Sequence, residues 1–440
     1  MVKITRSIML SKIDYGLPIY GWCASSNIKL IKAPYHAAVR RSIGAFPTSP
    51  TKNTLAEAGM PSIEERTLFL TYKLAPKLFI CRNKTLYKEI NRSISYKRKF
   101  KRESTILKCI GLLRHLNVNI KPRFLKNPSE PPWHFESSSV ILSLTNLSKI
   151  STDPIIYQQT YYNTIIDFTA KNWKLLFTDG SKTNFSTTFA TVEHKGNIIN
   201  CGQVDNYCSN FTAEALAVYM AVEFASKSEL KYIICTDSLS TINGLQNPNN
   251  DSPLINDIRN ICIKHSDKIK IMWVPSHVGI PGNELADLAA SEAKHRPLLV
   301  FPTYEARDII NAALDHLKTS KASQWSTYNH NYKNINPSGT KSIFPVNCSK
   351  KITSTIVRLR IGHCKFSHRH LLEKNPAPLC PNCNTQLTAA HILNDCPTYS
   401  SCRENIFKSQ TPTDLLKNLC ESNIKLVFKF IVETSLIDSI

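Results

Sequence analysis

Four acidic side chains sit where a fold can present a carboxylate at the edge of a buried sheet. Asp179 closes the apolar run Leu175-Leu176-Phe177-Thr178 and is followed by Gly180-Ser181. A run ending in Thr-Asp-Gly-Ser predicts a buried strand that delivers the carboxylate at its end, with the glycine permitting a tight turn. Glu214 opens a helical stretch over 212–222, and Asp237 ends a second apolar run, Tyr232-Ile233-Ile234-Cys235-Thr236. Asp287 lies in Pro281-Gly282-Asn283-Glu284-Leu285-Ala286-Asp287, just after the loop Pro275-Ser276-His277-Val278-Gly279-Ile280. Four clustered carboxylates repel one another too strongly to persist without cations, and hard oxygen ligands suit Mg²⁺ or Mn²⁺. Two such ions about 3.5–4 Å apart can activate water, bridge a phosphodiester and neutralise the leaving oxygen.

A second group has a different donor set. Cys380-Pro381-Asn382-Cys383 is followed by His391 and Cys396 in the spacing Cys-x2-Cys-x7-His-x4-Cys. Three thiolates and an imidazole make a closed tetrahedral zinc site with no open position for a reactive water, so its role is structural. Ile392 and Leu393, between the last two ligands, would help such a small unit pack, coupling metal binding to folding. Cys364, His368 and Cys402 lie near enough in sequence to replace a ligand.

The elements that must position the carboxylates follow from periodicity. Strands are predicted over 173–178, 187–194, 197–203, 231–236 and 269–274, with helices over 212–226, 238–246, 252–266 and onward from 283. Lys195-Gly196-Asn197 is a hairpin signal between the second and third strands. The helix 212–226 crosses back, which makes the fourth strand parallel to the first. The result is an α/β domain: a mixed five-stranded sheet with helices on both faces.

Thr-Asp-Gly-Ser, Ala-Glu, Thr-Asp-Ser and Ser-His-Val-Gly-Ile-Pro-Gly-Asn-Glu-Leu-Ala-Asp, in that order over about 120 residues, resemble the ribonuclease H family. The likeness is to the domain carried by non-LTR retrotransposon polyproteins of the jockey and I-element kind. It implies an endonuclease that cuts the RNA strand of RNA–DNA hybrids with two Mg²⁺ or Mn²⁺ ions, leaving 5′-phosphomonoesters. It also implies that Asp179 bridges both ions, that Glu214 and Asp237 share the remaining positions, and that Asp287 completes one of them. His277 matches a mobile histidine that assists proton transfer or product release. Glu284 is near enough to Asp287 on one helix to approach the same site, but the family pattern favours Asp287; Glu223 reads as a solvated helix position. The basic helix with which some relatives hold the hybrid is missing between Leu245 and Ile258. The Cys-His array also resembles one that follows this domain in the same elements.

A chain of 440 residues is too long for one ordinary core. Residues 1–80 predict a helical region similar to a reverse-transcriptase thumb and connection. Residues 81–170 read as a basic, Pro-rich linker with Lys97-Arg98-Lys99-Phe100-Lys101-Arg102 at its centre and some helix over 106–116. Residues 171–296 form the catalytic domain, and residues 297–440 a C-terminal region with the zinc module at 380–396. Clear periodicity is missing between Ala293 and Lys351. No aromatic-x-Asp-Asp tetrapeptide occurs, so no polymerase activity is expected.

The formal charge of +22 is uneven. Residues 1–150 carry 26 Lys+Arg against 8 Asp+Glu, whereas residues 171–296 carry 12 against 13. Phosphate affinity is therefore expected from the flanks, with the nearly neutral catalytic unit positioned on the same polyanion. The 14 cysteines, mostly isolated in apolar runs, and the lack of a leader or long apolar span predict an intracellular protein that avoids membranes. Its partner is nucleic acid rather than a small-molecule substrate. The competing expectation is a non-catalytic nucleic-acid-binding remnant of such a polyprotein, for which Asp179 would be dispensable.

Overall fold

A computed structural model describes the chain except for residues 82, 96–104, 117, 119–122, 125–129, 148–151 and 299–304. The expected basic run at 97–102 and part of the Pro-rich stretch lie outside the described residues. The chain forms two compact units, Tyr72–Leu314 and a second built from Met1–Thr71 with Asp315–Ile440. Among the described residues no helix is long and apolar enough to cross a membrane.

The first unit is organised by one sheet. The sheet and the helices about it are, in chain order, β1 (Val140–Ile141), α1 (Pro154–Ala170), β2 (Lys174–Lys182), β3 (Thr187–Glu193), β4 (Ile198–Val204), α2 (Asn210–Lys227) and β5 (Tyr232–Thr236), then α3 (Leu239–Gln246), α4 (Pro253–Lys264), β6 (Ile269–Trp273), α5 (Pro281–Glu292) and α6 (Ala306–Ser326), whose residues from Asp315 on belong to the second unit. The strand order is β1-β6-β5-β2-β3-β4. The pairs β2–β3 and β3–β4 are antiparallel, while β2–β5, β5–β6 and β6–β1 are parallel. Five of these strands are the expected ones. The sixth, β1, is a two-residue edge strand contributed by the stretch read as linker, where Val140 pairs with Ile271. A strand so short carries no alternation to read in sequence.

Alternation along the strands divides the core. Leu176, Phe189, Ile234 and Ile271 pack with α2, α3 and α4; Leu175, Phe177, Ala190, Ile233, Cys235 and Met272 pack with α1 and α5. Successive side chains of a strand point to opposite faces, so a sheet covered by helices on both sides needs the near-continuous apolar runs seen in β2 and β5. Serine caps start the helices: Ser209, Ser238 and Ser252 accept from the backbone N–H groups of Thr212, Thr241 and Ile255. The Arg259 guanidinium is buried and donates to the carbonyls of Leu245 (3.0 Å), Gly244 (2.9 Å) and Asn247 (2.8 Å), pinning the chain between α3 and α4.

Helix α6 occupies a stretch without clear sequence periodicity. Among its residues only Asp308, Ile309 and Ala313 are buried, too few to print a helical stripe. Asp308 accepts from the Thr212 hydroxyl at 2.5 Å and Glu305 from the Ser252 hydroxyl at 2.7 Å, so this segment is tied to the starts of α2 and α4.

The second unit is helical. Its N-terminal helices Ser25–Ile43 and Thr51–Ala58 and its C-terminal helices Lys350–Ile361 and Glu421–Glu433 bury Tyr35, Val39 and Leu55 in one cluster and Ile356, Leu359, Phe430 and Ile431 in another. Ala45, Ala56, Tyr332, Val357 and Ile361 form a cluster drawn from both ends of the sequence.

Candidate active site

The register of β2 and β5 brings the first two carboxylates together. Thr178 pairs with Thr236, so Asp179 and Asp237 follow at the same level of neighbouring parallel strands. Gly180 is not a turn, contrary to the sequence expectation: β2 runs on to Lys182 and Asp179 lies inside it. The glycine is required for packing, since a Cβ there would stand 2.4 Å from the backbone nitrogen of Glu214. Removing that methylene-sized obstacle lets the first turns of α2 rest on β2 and places Glu214 beside Asp179. Gly282 has the same use, because a Cβ would stand 2.2 Å from the Phe177 ring. Its absence seats α5, which carries Asp287, against the strand.

The electrostatics report the gathering. Burial first, and then the charges of Asp237, Asp287 and Glu214, raise the Asp179 carboxyl to about 7, against a lowering by the Gly180 N–H. Burial also raises Glu214, opposed by its hydrogen bond from Ser238 and reinforced by Asp237. Glu214 is held at both oxygens: Asn210 Nδ2 donates to Oε1 at 2.6 Å and the Ser238 hydroxyl donates to Oε2. The Asp237 carbonyl accepts from Trp273 Nε1 at 3.1 Å and from the Leu239 N–H at 3.0 Å, which fixes the chain where β5 passes into α3. A buried carboxyl that also feels the charges of three others is one whose ionisation hard divalent cations favour, since their charge removes the repulsion.

The match with known families agrees with this arrangement. Residues 171–295 match the RNase H family model. The RNase H domain thus contains all four carboxylates, and His277 with them. His277 is exposed on the loop before α5 at φ 57°, a left-handed conformation unusual for a non-glycine residue, with Nδ1 3.8 Å from Asp287 Oδ2. Glu284, set aside at the level of sequence, lies in the same group: ligand atoms of His277, Glu284 and Asp287 are within 4.8 Å of one another. Its Oε1 accepts from the Gly279 N–H at 3.3 Å. The three-residue spacing to Asp287 was the available signal, since i and i+3 share a helix face.

Because Asp179 binds a proton more tightly in the fold than at its ordinary value of 3.8, the folded chain holds more protons than the unfolded one between about pH 4 and 7. Metal-free stability is therefore expected to fall as pH rises across that window. Divalent cations must displace the proton, so thermal stabilisation by Mg²⁺ should be larger at pH 8 than at pH 5.5. Scanning fluorimetry with and without Mg²⁺ at the two pH values checks this; an equal shift at both would contradict it.

The second unit holds the other donor group. Cys380, Cys383, His391 and Cys396 place their ligand atoms within 4.8 Å of one another and could hold a metal ion. The Cys396 sulfur lies 3.9 Å from that of Cys380 and 3.8 Å from that of Cys383. Thiolates about 2.3 Å from a tetrahedral zinc stand roughly 3.8 Å apart, so the spacing fits. His391 Nε2 is buried without a hydrogen-bond partner, which fits an atom that ligates a metal. The Asn382 N–H, and then the neighbouring His391 imidazole, lower the Cys380 thiol to about 6. Asn384, at φ 52°, closes the knuckle by donating to the Cys380 carbonyl at 2.8 Å. Ile392 and Leu393 are buried in the helical core, and so is Cys364. His368 instead stacks on His363, and Cys402 points to Glu433; none of the three neighbours joins the group of four.

Proposed function

We propose that the RNase H domain is a divalent-metal-dependent endonuclease that hydrolyses the RNA strand of RNA–DNA hybrids, leaving 5′-phosphomonoester and 3′-hydroxyl ends. The observation that carries the reading is that Asp179 and Asp237 stand level on neighbouring parallel strands, with Glu214 brought against β2 at Gly180, within a stretch matching RNase H. Asp179, Glu214, Asp237 and Asp287 would hold two Mg²⁺ or Mn²⁺ ions, which when bound supply water activation and charge neutralisation at the leaving oxygen. Asn210 and Ser238 fix the orientation of Glu214, so little reorganisation is needed for it to act as a ligand. His277, exposed beside Asp287, can take or return a proton at Nδ1 as products leave. RNA is preferred through 2′-hydroxyl contacts across the wide minor groove.

In this reading the chain is part of a non-LTR retrotransposon polyprotein, with a thumb-like region at 1–80, the nuclease at 171–296 packed with β1 and α1 of the stretch before it, and the remainder after it. The full chain should cut a labelled RNA–DNA hybrid with Mg²⁺ or Mn²⁺, and leave the same RNA uncut when single-stranded. Undiminished cutting in excess EDTA would overturn the proposal, because crowded carboxylates have no metal-free way to neutralise the developing charge.

Cys380, Cys383, His391 and Cys396 would hold one structural zinc ion. The full chain is expected to contain zinc at a one-to-one ratio by elemental analysis, and Cys380→Ser with Cys383→Ser to lose it together with near-ultraviolet dichroism. Stoichiometric zinc retained in that double variant would move the site elsewhere.

A further inference from the structure

The helical unit contains a cavity of about 390 Å³, within the roughly 300–1,000 Å³ typical of small-ligand pockets. One wall is the end of helix Lys350–Ile361, which stops at Gly362 with φ 81° and turns the chain so that His363 lines the space. A second wall is Thr388, Ala389 and Leu393 of the Cys-His segment, and a third comes from Asn331 and Asn334.

The chemistry of the lining is selective. His363 and His368 lie face to face, with ring centroids 3.5 Å apart and planes 24° from parallel. Each is anchored at Nδ1: His363 is 3.2 Å from the Thr48 hydroxyl oxygen and His368 2.8 Å from that of Ser367. Burial, and then the neighbouring histidine in each case, lowers the affinity of both rings for a proton. Among the described residues the lining contains no Asp, Glu or Lys, and its one guanidinium, Arg360, is engaged by Glu57. A phosphate finds no free counter-charge there, and among the described residues the histidines of the lining, His330, His363 and His368, belong to no group of three whose ligand atoms could hold a metal ion. Four amides, Asn331, Asn334, Gln386 and Asn394, also line the cavity. A π face with neutral donors and acceptors around it suits a flat, uncharged ligand with a polar edge.

We propose that this cavity takes one unstacked nucleobase of a single-stranded nucleic acid, stacked against the His363–His368 pair and read along its edge by the amides. This deepens, and rests on, the reading of the chain as one that works on nucleic acid. Because the cavity offers no cation for a phosphate, the base arrives as part of a strand whose backbone is held by basic residues elsewhere on a chain of charge +22.

The test uses the full chain and fluorescence anisotropy with a labelled single-stranded RNA, an abasic strand of the same length, and free nucleosides as competitors. His363→Ala with His368→Ala is expected to weaken RNA binding about tenfold, and phenylalanine at both positions to restore it, with little effect on the abasic strand. Gln386→Ala with Asn394→Ala, changes at exposed side chains, should weaken binding severalfold and decides the matter alone if the histidine variant fails to fold. Unchanged affinity in both double variants would overturn the proposal, and displacement of the strand by free nucleosides at equal concentration would assign the cavity to a free nucleoside instead. Hybrid cleavage is measured in parallel: its absence from the unaltered chain would count against the nuclease alone, because binding of the strand is read separately.

Discussion

Asp179→Asn is expected to lower hybrid cleavage by at least ~100-fold while making the metal-free chain more stable at pH 8. Both effects come from one property. Asp179 lies where burial and three carboxylates oppose its ionisation, so the charge that a bridging ligand needs is the charge the bare fold resists. The neutral amide has nearly the same shape and relieves the repulsion. The gain is on the order of 2 kcal/mol once solvent screening of a partly exposed site is allowed for. Single-turnover cleavage in Mg²⁺ and thermal unfolding in EDTA measure the two sides. A residue that served only packing would lose stability and activity together, so loss of both would sink the catalytic assignment. Unchanged cleavage would favour the binding-only remnant.

The second large effect lies in the helical unit. Arg360 and Glu57, with side chains 3% and 1% exposed, form an ion pair at 2.9 Å across 303 residues of sequence. Tyr332 donates its hydroxyl to the same carboxylate, and the guanidinium also donates to the Ser342 hydroxyl at 2.9 Å and to the Leu416 carbonyl. A pair this well satisfied contributes little over an apolar substitute, but breaking it strands a charge in the interior. Glu57→Gln is expected to destabilise the unit by about 3–5 kcal/mol, with Arg360→Met of similar size. The combined variant should recover part of the loss, which a double-mutant cycle in urea would read. Strictly additive losses would show that the two groups do not act as a pair. The same contact means that residues from 350 onward, expressed alone, would bury Arg360 without its carboxylate.

Much of the sheet unit was legible locally. Strand alternation, serine caps and the Gly196 hairpin are short-range signals, and the observed strands and helices follow the predicted ones closely. Asp237 was legible because it directly follows β5, whereas Asp179 lies inside β2, Glu214 in the first turns of α2 and Asp287 within α5; the Cys-x2-Cys-x7-His-x4-Cys spacing was legible because all four residues lie within 17 positions of sequence. Gly180 was misread, since turn and close approach leave the same residue in the sequence, and only the packing of α2 on β2 distinguishes them.

The sequence by itself determined which donor types are present, carboxylates in one stretch and three thiols with an imidazole in another, and the apolar runs that bury a sheet between helices. Tertiary structure alone decided what stands beside what. It buried Asp179 and set it within reach of the charges of Asp237, Asp287 and Glu214, which together raise its carboxyl to about 7, and placed Glu284 with His277. It added a sixth strand at the edge and joined Glu57 to Arg360. The reason is physical. Backbone periodicity is set by neighbours a few residues away and is written in every segment, whereas burial, charge coupling and cavity shape arise from contacts between distant segments that no local pattern encodes.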